Sequence, residues 1–285
     1  MARSRMADVG GLRMHYLIEG DGPLVVLLHG WPQTSYCWRH LIGPLAHDHT
    51  VVAPDLRGYG RTDKPRTGYD KRTMAADIRA LVRLLGHEKV TLVGHDRGAR
   101  VAHRYALDHP AEVERLVVMD IIPTREMWRR FDMDTGLAYA CWHWTFHLQP
   151  DLPERLAGAD VRGYLGYFFE RWTVNRPAVE EAVDEYVRAF SQPGALRAGF
   201  DDYRASFPDD AAHDDADWEA GRRLTMPVLA LWGAAGLPAR VRVLDIWREY
   251  AEDVRGAEIP DCGHFLPEEQ PALVLEHLRK FLATG

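Results

Sequence analysis

An aspartate stands where an apolar run gives way to a helical pattern in Gly94-His95-Asp96-Arg97-Gly98-Ala99-Arg100. Residues 90–93 before it suit a buried strand, and Val101, Ala102, Tyr105 and Ala106 after it recur at helical spacing. A strand, a sharp turn carrying one polar residue among small ones, and a helix together form a nucleophile elbow. A serine hydroxyl at such a place attacks acyl carbon. A carboxylate is suited instead to displacing a leaving group from saturated carbon, giving an ester that water must then open.

Opening that ester requires a general base, a group that orients the base, and N–H donors for the oxyanion. His264 sits in a glycine-containing loop after the last apolar strand pattern, and the chain order Asp96, Asp120, His264 gives nucleophile, acid and base. Residues 233–238, where an acid could also stand, contain no carboxylate, so Asp120 at the end of the 113–119 run is the available acid. A turn or helix-cap role is the alternative for it. The backbone N–H groups of Trp31 and Arg97 are the expected oxyanion donors. Asp96 must stay ionised although burial raises a carboxylate pKa, and a helix N-terminus with nearby cations opposes that shift. Arg97 and Arg100 lie three apart on the elbow helix, and two guanidiniums exceed what one nucleophile needs. The surplus suits an anionic substrate held by forked hydrogen bonds, with ordinary ion pairing as the competing use.

These groups need a scaffold that brings them together. The run 24–28 is apolar throughout, as in a strand buried on both faces, and it ends at His29-Gly30-Trp31-Pro32. Strand patterns recur near 12–19, 50–53, 90–93, 113–119, 227–232 and before Pro260, with helical patterns over about 34–46, 73–85, 240–250 and 271–282. This alternation predicts a mostly parallel, doubly wound α/β sheet whose crevice lies at the carboxyl ends of its strands. Residues 54–65 read as a loop, in which Asp55 and Arg57 could serve a ligand but are expected to brace the loop as an ion pair. From 124 to 223 the buried-strand pattern is replaced by aromatic, helix-compatible segments at 128–148, 164–172 and 177–190. The expected organisation is a core of residues 1–123 and 224–285 with a helical cap, 124–223, inserted over the crevice. Within the cap, 209–219 carries five aspartates and reads as a solvated return loop. His143, Trp144 and Tyr203 are N–H or O–H donors on apolar bodies, which is what an expelled halide needs in a dry pocket.

The bulk properties narrow the partners. A net charge of -7 provides no basic footprint for nucleic acid, and no apolar stretch approaches the length of a membrane span. Cys37, Cys141 and Cys262 are few and widely spaced, without metal-ligand spacing, as in a reducing compartment. The start of the chain has charge but no apolar core of a signal peptide, so a cytoplasmic location is expected.

Taken together, His29-Gly30-Trp31-Pro32, Asp96-Arg97-Gly98-Ala99-Arg100, Trp142-His143-Trp144, Asp202-Tyr203-Arg204 and Gly263-His264-Phe265 make the chain resemble the fluoroacetate (haloacetate) dehalogenases of the α/β-hydrolase superfamily over almost its whole length. The resemblance implies an α/β-hydrolase fold with a helical cap, Asp96 as nucleophile, Asp120 and His264 activating water, Arg97 and Arg100 binding the substrate carboxylate, and His143, Trp144 and Tyr203 holding halide. It also implies a homodimer. The expected reaction converts a small haloacid such as haloacetate to the 2-hydroxy acid, with no cofactor and no metal. Epoxide hydrolysis uses the same three groups but needs cap acids, for which Tyr203 with Tyr139, Tyr164 or Tyr167 is available. The Asp96-Arg97 pair argues against it, since epoxide hydrolases generally resemble Asp-Trp there. A ligand-binding protein without catalysis is the remaining class.

Overall fold

A computed structural model of the chain describes residues 2–283. Its framework is one eight-stranded sheet: β1 (Arg3–Asp8), β2 (Arg13–Glu19), β3 (Leu24–Leu28), β4 (Thr50–Pro54), β5 (Val90–His95), β6 (Val113–Met119), β7 (Val228–Gly233) and β8 (Val254–Ile259). The spatial order is β1-β2-β4-β3-β5-β6-β7-β8. The first two pairings, β1 with β2 and β2 with β4, are antiparallel, and every later one is parallel. All residues of β3, β4 and β5 are buried. Helices on both faces of a parallel sheet impose this, and the unbroken Leu/Val runs satisfy it.

Register decides where the chemistry gathers. Leu28 pairs with Gly94, Gly94 with Val118, and Val118 with Ala230, so β3, β5, β6 and β7 end at one edge of the sheet. The chain leaves β3 toward β4 on one side and leaves β5 toward β6 on the other. That reversal opens a crevice between the ends of β3 and β5, where Trp31 and Asp96 lie.

The helix Lys71–Leu84 starts on Asp70, whose carboxylate accepts the Thr73 N–H at 2.9 Å. It lays Met74, Ile78, Leu81 and Val82 on the core. The elbow helix Asp96–Asp108 is buried from Asp96 to Ala106, including Arg97, Arg100 and Arg104, so each of these cations has to be satisfied inside the protein. Between β6 and β7 the chain is helical, with long helices at Val161–Trp172, Arg176–Phe190 and Ala195–Ala205. Among the described residues no helix is long and apolar enough to cross a membrane.

Several segments depart from the sequence reading. The charged start of the chain forms β1, an exposed edge strand that burial patterning could not reveal because it packs little. Residues 128–148 are broken into Thr124–Arg129, Leu137–Ala140 and His143–His147, with Gly136 in the left-handed region at φ 74°. The aspartate-rich 209–219 stretch is not a solvated loop. Ala211–Glu219 is a helix, and Asp210, Asp214 and Asp217 are buried. Their partners explain it: Asp210 accepts the Lys71 N–H at 2.7 Å, while Arg104 lies 3.9 Å from Asp214 and forms an ion pair with Asp217. Nor do Asp55 and Arg57 pair with each other. Arg57 forks onto Asp77 with two 2.7 Å hydrogen bonds, and Asp55 turns to His15.

The elbow also limits side-chain size. A Cβ on Gly98 would overlap the carbonyl oxygens of Leu28 and His29, which are backbone and cannot move aside. We predict that Gly98→Ala costs about 3 kcal/mol or more in urea unfolding, at the upper end of overpacking penalties. A variant as stable as the parent would show that the helix can shift off β3.

Candidate active site

Asp96 occupies the turn between β5 and its helix at φ 48°, in the left-handed region that aspartate tolerates better than most residues. Its Oδ1 accepts the Trp31 N–H at 2.8 Å. The carboxylate approaches so closely that a Cβ on Gly30 would overlap it, so the absence of a side chain at Gly30 makes room for the nucleophile. The Arg97 amide faces the same spot, 2.8 Å from where that Cβ would stand. Both expected oxyanion donors thus lie at the gap beside Gly30, the Trp31 N–H already bonded to Asp96 Oδ1.

Asp120, at the end of β6, is also left-handed, at φ 54°. It accepts the Gly233 and Leu237 N–H groups at 3.0 and 3.1 Å and the His264 Nδ1–H at 2.6 Å. Since an ionised carboxylate only accepts, this bond puts the imidazole proton on Nδ1 and leaves Nε2 as the base. His264 Nε2 lies 3.8 Å from Asp96 Oδ2, is buried, and has no hydrogen-bond partner. That separation is too long for a direct hydrogen bond and suits a water placed between the base and the nucleophile. The ring is braced through its backbone, with N–H to the Trp172 carbonyl at 2.7 Å and C=O to His95 Nε2 at 2.7 Å.

The electrostatics separate the two carboxylates. Burial pushes the Asp96 carboxyl up, but the charges of His264, Arg97 and Arg100 outweigh it and the pKa ends below the usual value. Burial dominates at Asp120 and raises it, despite the bond to His264. For His264, burial lowers the pKa, yet the hydrogen bond and charge of Asp120, with the charge of Asp96, lift it above the ordinary imidazole value.

Arg97 is fully buried and fixed by a cap residue. Its Nε and Nη2 donate to Asp202 Oδ1 at 3.0 and 2.7 Å, and Nη2 also reaches the Asp202 carbonyl at 2.6 Å. The guanidinium carbon lies 4.4 Å from the centre of the Tyr203 ring. Asp202 further pairs with Lys71 and accepts the Tyr59 O–H at 2.6 Å. Arg100 is held differently. Its Nη1 donates to the Ile122 carbonyl at 3.0 Å and to Thr124 Oγ1 at 3.1 Å, both uncharged, and its guanidinium stacks 4.7 Å from Trp144. Burial and the neighbouring Arg97 pull its pKa down to about 10. Arg97 Nη1 and Arg100 Nε are buried without hydrogen-bond partners.

His143, Trp144 and Tyr203 converge as the sequence suggested. The ring centroids of His143 and Trp144 lie 5.4 and 5.7 Å from that of Tyr203. His143 is stacked on Trp31 at 6.0 Å, and its Nδ1 has no partner. Burial drives the His143 pKa well below normal, so the ring is neutral at pH 7. Of the other tyrosines, Tyr139 and Tyr167 are 65% and 42% exposed, and the Tyr164 hydroxyl is bound to His147 at 2.6 Å, so none stands as a second acid beside Tyr203.

A cavity of about 20 Å³ lies against Asp96, Arg100, Trp144, Cys141, Leu137 and Ile122. It offers room for little more than a water. Three residues in and around the site escaped the sequence reading. Asp202 was visible in Asp202-Tyr203-Arg204 but carried no signal that it would clamp Arg97, and Leu137 and Ile122 look like ordinary core residues. Among the described residues no group of three or more His, Cys, Asp or Glu side chains is arranged to hold a metal ion.

Comparison with known proteins bears on the fold that carries this site. Residues 23–271 match the model of the alpha/beta hydrolase fold family. The chain is 43% identical to a soluble epoxide hydrolase of Corynebacterium sp. (strain C12), over 97% of its own length and 96% of that protein. It is 38% identical to a fluoroacetate dehalogenase of Burkholderia sp, over 99% and 94%. The solved structure of the epoxide hydrolase CorEH without ligand superimposes with a TM-score of 0.90 at 39% identity, covering 99% of both chains.

Two outcomes follow. Asp202→Ala strands Arg97 as a buried cation and leaves Lys71 with Asp210 at 3.4 Å, and we predict a loss of about 3–5 kcal/mol in urea unfolding; a loss under about 1 kcal/mol would mean that water replaces the carboxylate. Asp120→Asn removes the group that lifts the His264 pKa. Because His264 must be neutral to act, turnover in the parent falls as pH drops through that raised pKa. In the variant the acidic limb is predicted to move to lower pH while kcat falls roughly 10²–10⁴-fold. An unmoved limb in a steady-state pH profile would assign it to another group.

Proposed function

The chain belongs to the alpha/beta hydrolase fold family, and from that premise we propose that it is a hydrolase of carbon–halogen bonds acting on small 2-haloacids such as haloacetate. The observation that carries this reading is Arg100. It is a buried cation beside the nucleophile that forms no ion pair among the described residues and bonds only neutral oxygens. Its partnerless Nε and the partnerless Nη1 of Arg97 are donors for a carboxylate, and an anion between them would relieve the repulsion that holds the Arg100 pKa down. The space beside Asp96 holds little more than a water, so only a small acid could be admitted, and only with some movement of its walls.

In this reading a substrate carboxylate on Arg97 and Arg100 sets the α-carbon against Asp96. The carboxylate displaces halide with inversion, forming an ester. The departing anion is met by N–H and O–H donors of neutral His143, Trp144 and Tyr203, in a site whose aromatic walls exclude water and strengthen each bond. His264, neutral and oriented by Asp120, takes a proton from water as it attacks the ester carbonyl. The oxyanion forms against the Trp31 and Arg97 amides and collapses to release the 2-hydroxy acid.

Epoxide hydrolysis is the second reading, supported by the Corynebacterium relative and by His143 and Tyr203, which could both donate to an opening epoxide oxygen. The two readings part at Arg100. A haloacid needs its charge, whereas a neutral epoxide does not.

We therefore predict that chloroacetate and fluoroacetate release halide with the parent enzyme and not with Asp96→Asn. Arg100→Gln should lower kcat/KM for the haloacid about 100-fold, the order expected for losing a buried charge-assisted contact. Diol formation from an uncharged terminal epoxide, unaffected by Arg100→Gln and unaccompanied by halide release from either acid, would overturn the proposal in favour of the second reading.

A further inference from the structure

A second chain of hydrogen bonds with catalytic form lies at the other flank of the sheet, in a surface cleft of about 470 Å³ that holds none of the residues of the candidate active site. Ser4 Oγ is 2.9 Å from His15 Nε2, and His15 Nδ1 is 2.8 Å from Asp55 Oδ2. β1 and β2 bring the first two together. Ser4 pairs with Leu17 and Met6 with His15, so Ser4 and His15 are diagonal neighbours on one face of the hairpin.

The proton positions are determined by the acceptors. Asp55 is buried and takes N–H bonds from Ser35 at 2.8 Å and Arg61 at 2.9 Å besides that of His15. Burial pushes its carboxyl up, but the His15 bond and nearby positive groups bring it down to about 2, so it is ionised and can only accept. His15 therefore carries a proton on Nδ1, and its Nε2 faces the Ser4 hydroxyl. The Arg61 Nη1–H donates to Ser4 Oγ at 3.2 Å. With Arg61 donating to one lone pair, the serine hydroxyl is free to direct its hydrogen to His15 Nε2 when that nitrogen is unprotonated. Base, orienting acid and a cation that stabilises the alkoxide all act on one exposed hydroxyl.

The support is rigid. His15 is buried, its backbone N–H donates to Thr62 Oγ1 at 3.0 Å, and Thr62 Oγ1 donates to the Asp55 carbonyl at 2.6 Å. Asp55 N–H in turn donates to the His15 carbonyl at 2.9 Å. Ser4 faces a cleft that Leu17, Tyr36, Arg61, Ala189 and the Glu185–Arg188 ion pair also line, so a small acyl group would meet an apolar wall, with the Arg61 N–H beside the hydroxyl.

We propose that Ser4, His15 and Asp55 form a second, acyl-transferring site that accepts small carboxylic esters. Ser4 Oγ attacks the ester carbonyl while its proton passes to His15 Nε2, and the oxyanion is met by the Arg61 guanidinium. The carbon–oxygen bond to the alcohol breaks, and His15 returns the proton to the leaving oxygen. Water, deprotonated by His15, then releases the acid and restores Ser4.

The test uses the full-length Asp96→Asn variant, which removes the nucleophile of the first site, with p-nitrophenyl acetate and a fluorophosphonate as probes. The expected result is a stoichiometric burst of p-nitrophenol, with peptide mass spectrometry placing the acetyl and phosphonyl groups on Ser4. Adding Ser4→Ala, on an exposed edge strand where folding is not at stake, should abolish the labelling. His15→Asn should slow it at least about 100-fold. Labelling that persists after Ser4→Ala, or a burst-free trace with Ser4 unmodified at saturating probe, overturns the proposal. Because halide release is read separately in the Asp96 parent, failure here leaves the first site untouched.

Discussion

Everything at the elbow depends on one buried carboxylate, that of Asp202. A guanidinium with no exposed surface is unaffordable in a protein interior unless an anion meets it, and Arg97 is met twice by the same oxygen. Asp202 stands on the helix Ala195–Ala205, within the segment inserted between β6 and β7, whereas Arg97 opens the helix after β5. The ion pair is therefore a bolt between two parts of the chain. Lys71 and Tyr59 share the same carboxylate, so four elements are located by one charge. The Arg97 side chain also stacks on Tyr203, the next residue along, which carries the clamp directly into the set of donors around the nucleophile.

With Arg97 compensated, Arg100 is left as the excess cation, and this asymmetry gives the site its character. Two equally paired arginines would make a neutral, structural region. Instead one guanidinium rests on a carbonyl and a hydroxyl, with its pKa drawn down by burial and by the other. The same positive field keeps Asp96 ionised against desolvation, and under the proposed reading it would also receive an anionic substrate. Asp120 has no such cations, and burial raises it, but its work is to hold the His264 proton at Nδ1 rather than to attack. Two aspartates of like sequence character are divided into different tasks by their surroundings.

The parts legible in the sequence are those where a local pattern has one physical solution. An unbroken apolar run flanked by turn residues has to be a doubly buried strand, and a lone carboxylate among glycines between strand and helix has to project from the turn, which is why Asp96, Asp120, His264 and Trp31 fall together as expected. His143, Trp144 and Tyr203 also meet, although the long helix expected around the first two is broken by Gly136. What stayed hidden depends on partners distant in the chain. The aspartates at 210, 214 and 217 look like a solvated run because nothing local reveals Lys71 and Arg104 opposite them. Asp55 and Arg57, two residues apart, suggested each other and instead pair with His15 and Asp77, since a strand register and a helix face decide what lies within reach. Charges adjacent in a loop are not each other's partners once the fold brings others within reach.

The neutrality of His143 completes the argument about leaving groups. A protonated imidazole there would attract halide strongly, but it would add a third cation beside Arg97 and Arg100 in a space that excludes water. Burial drives the ring to its neutral form, and stacking on Trp31 fixes its plane. What remains to meet an anion are dipoles: an imidazole N–H, an indole N–H and a phenol O–H, none of which has to change charge when the anion leaves. Dipoles held rigidly by aromatic packing need little reorganisation as charge develops, whereas a cation would bind the product halide as firmly as it aided its departure. In the proposed dehalogenation a small anion must also be let go, and neutral donors around a cationic substrate clamp would divide binding the acid from releasing the halide.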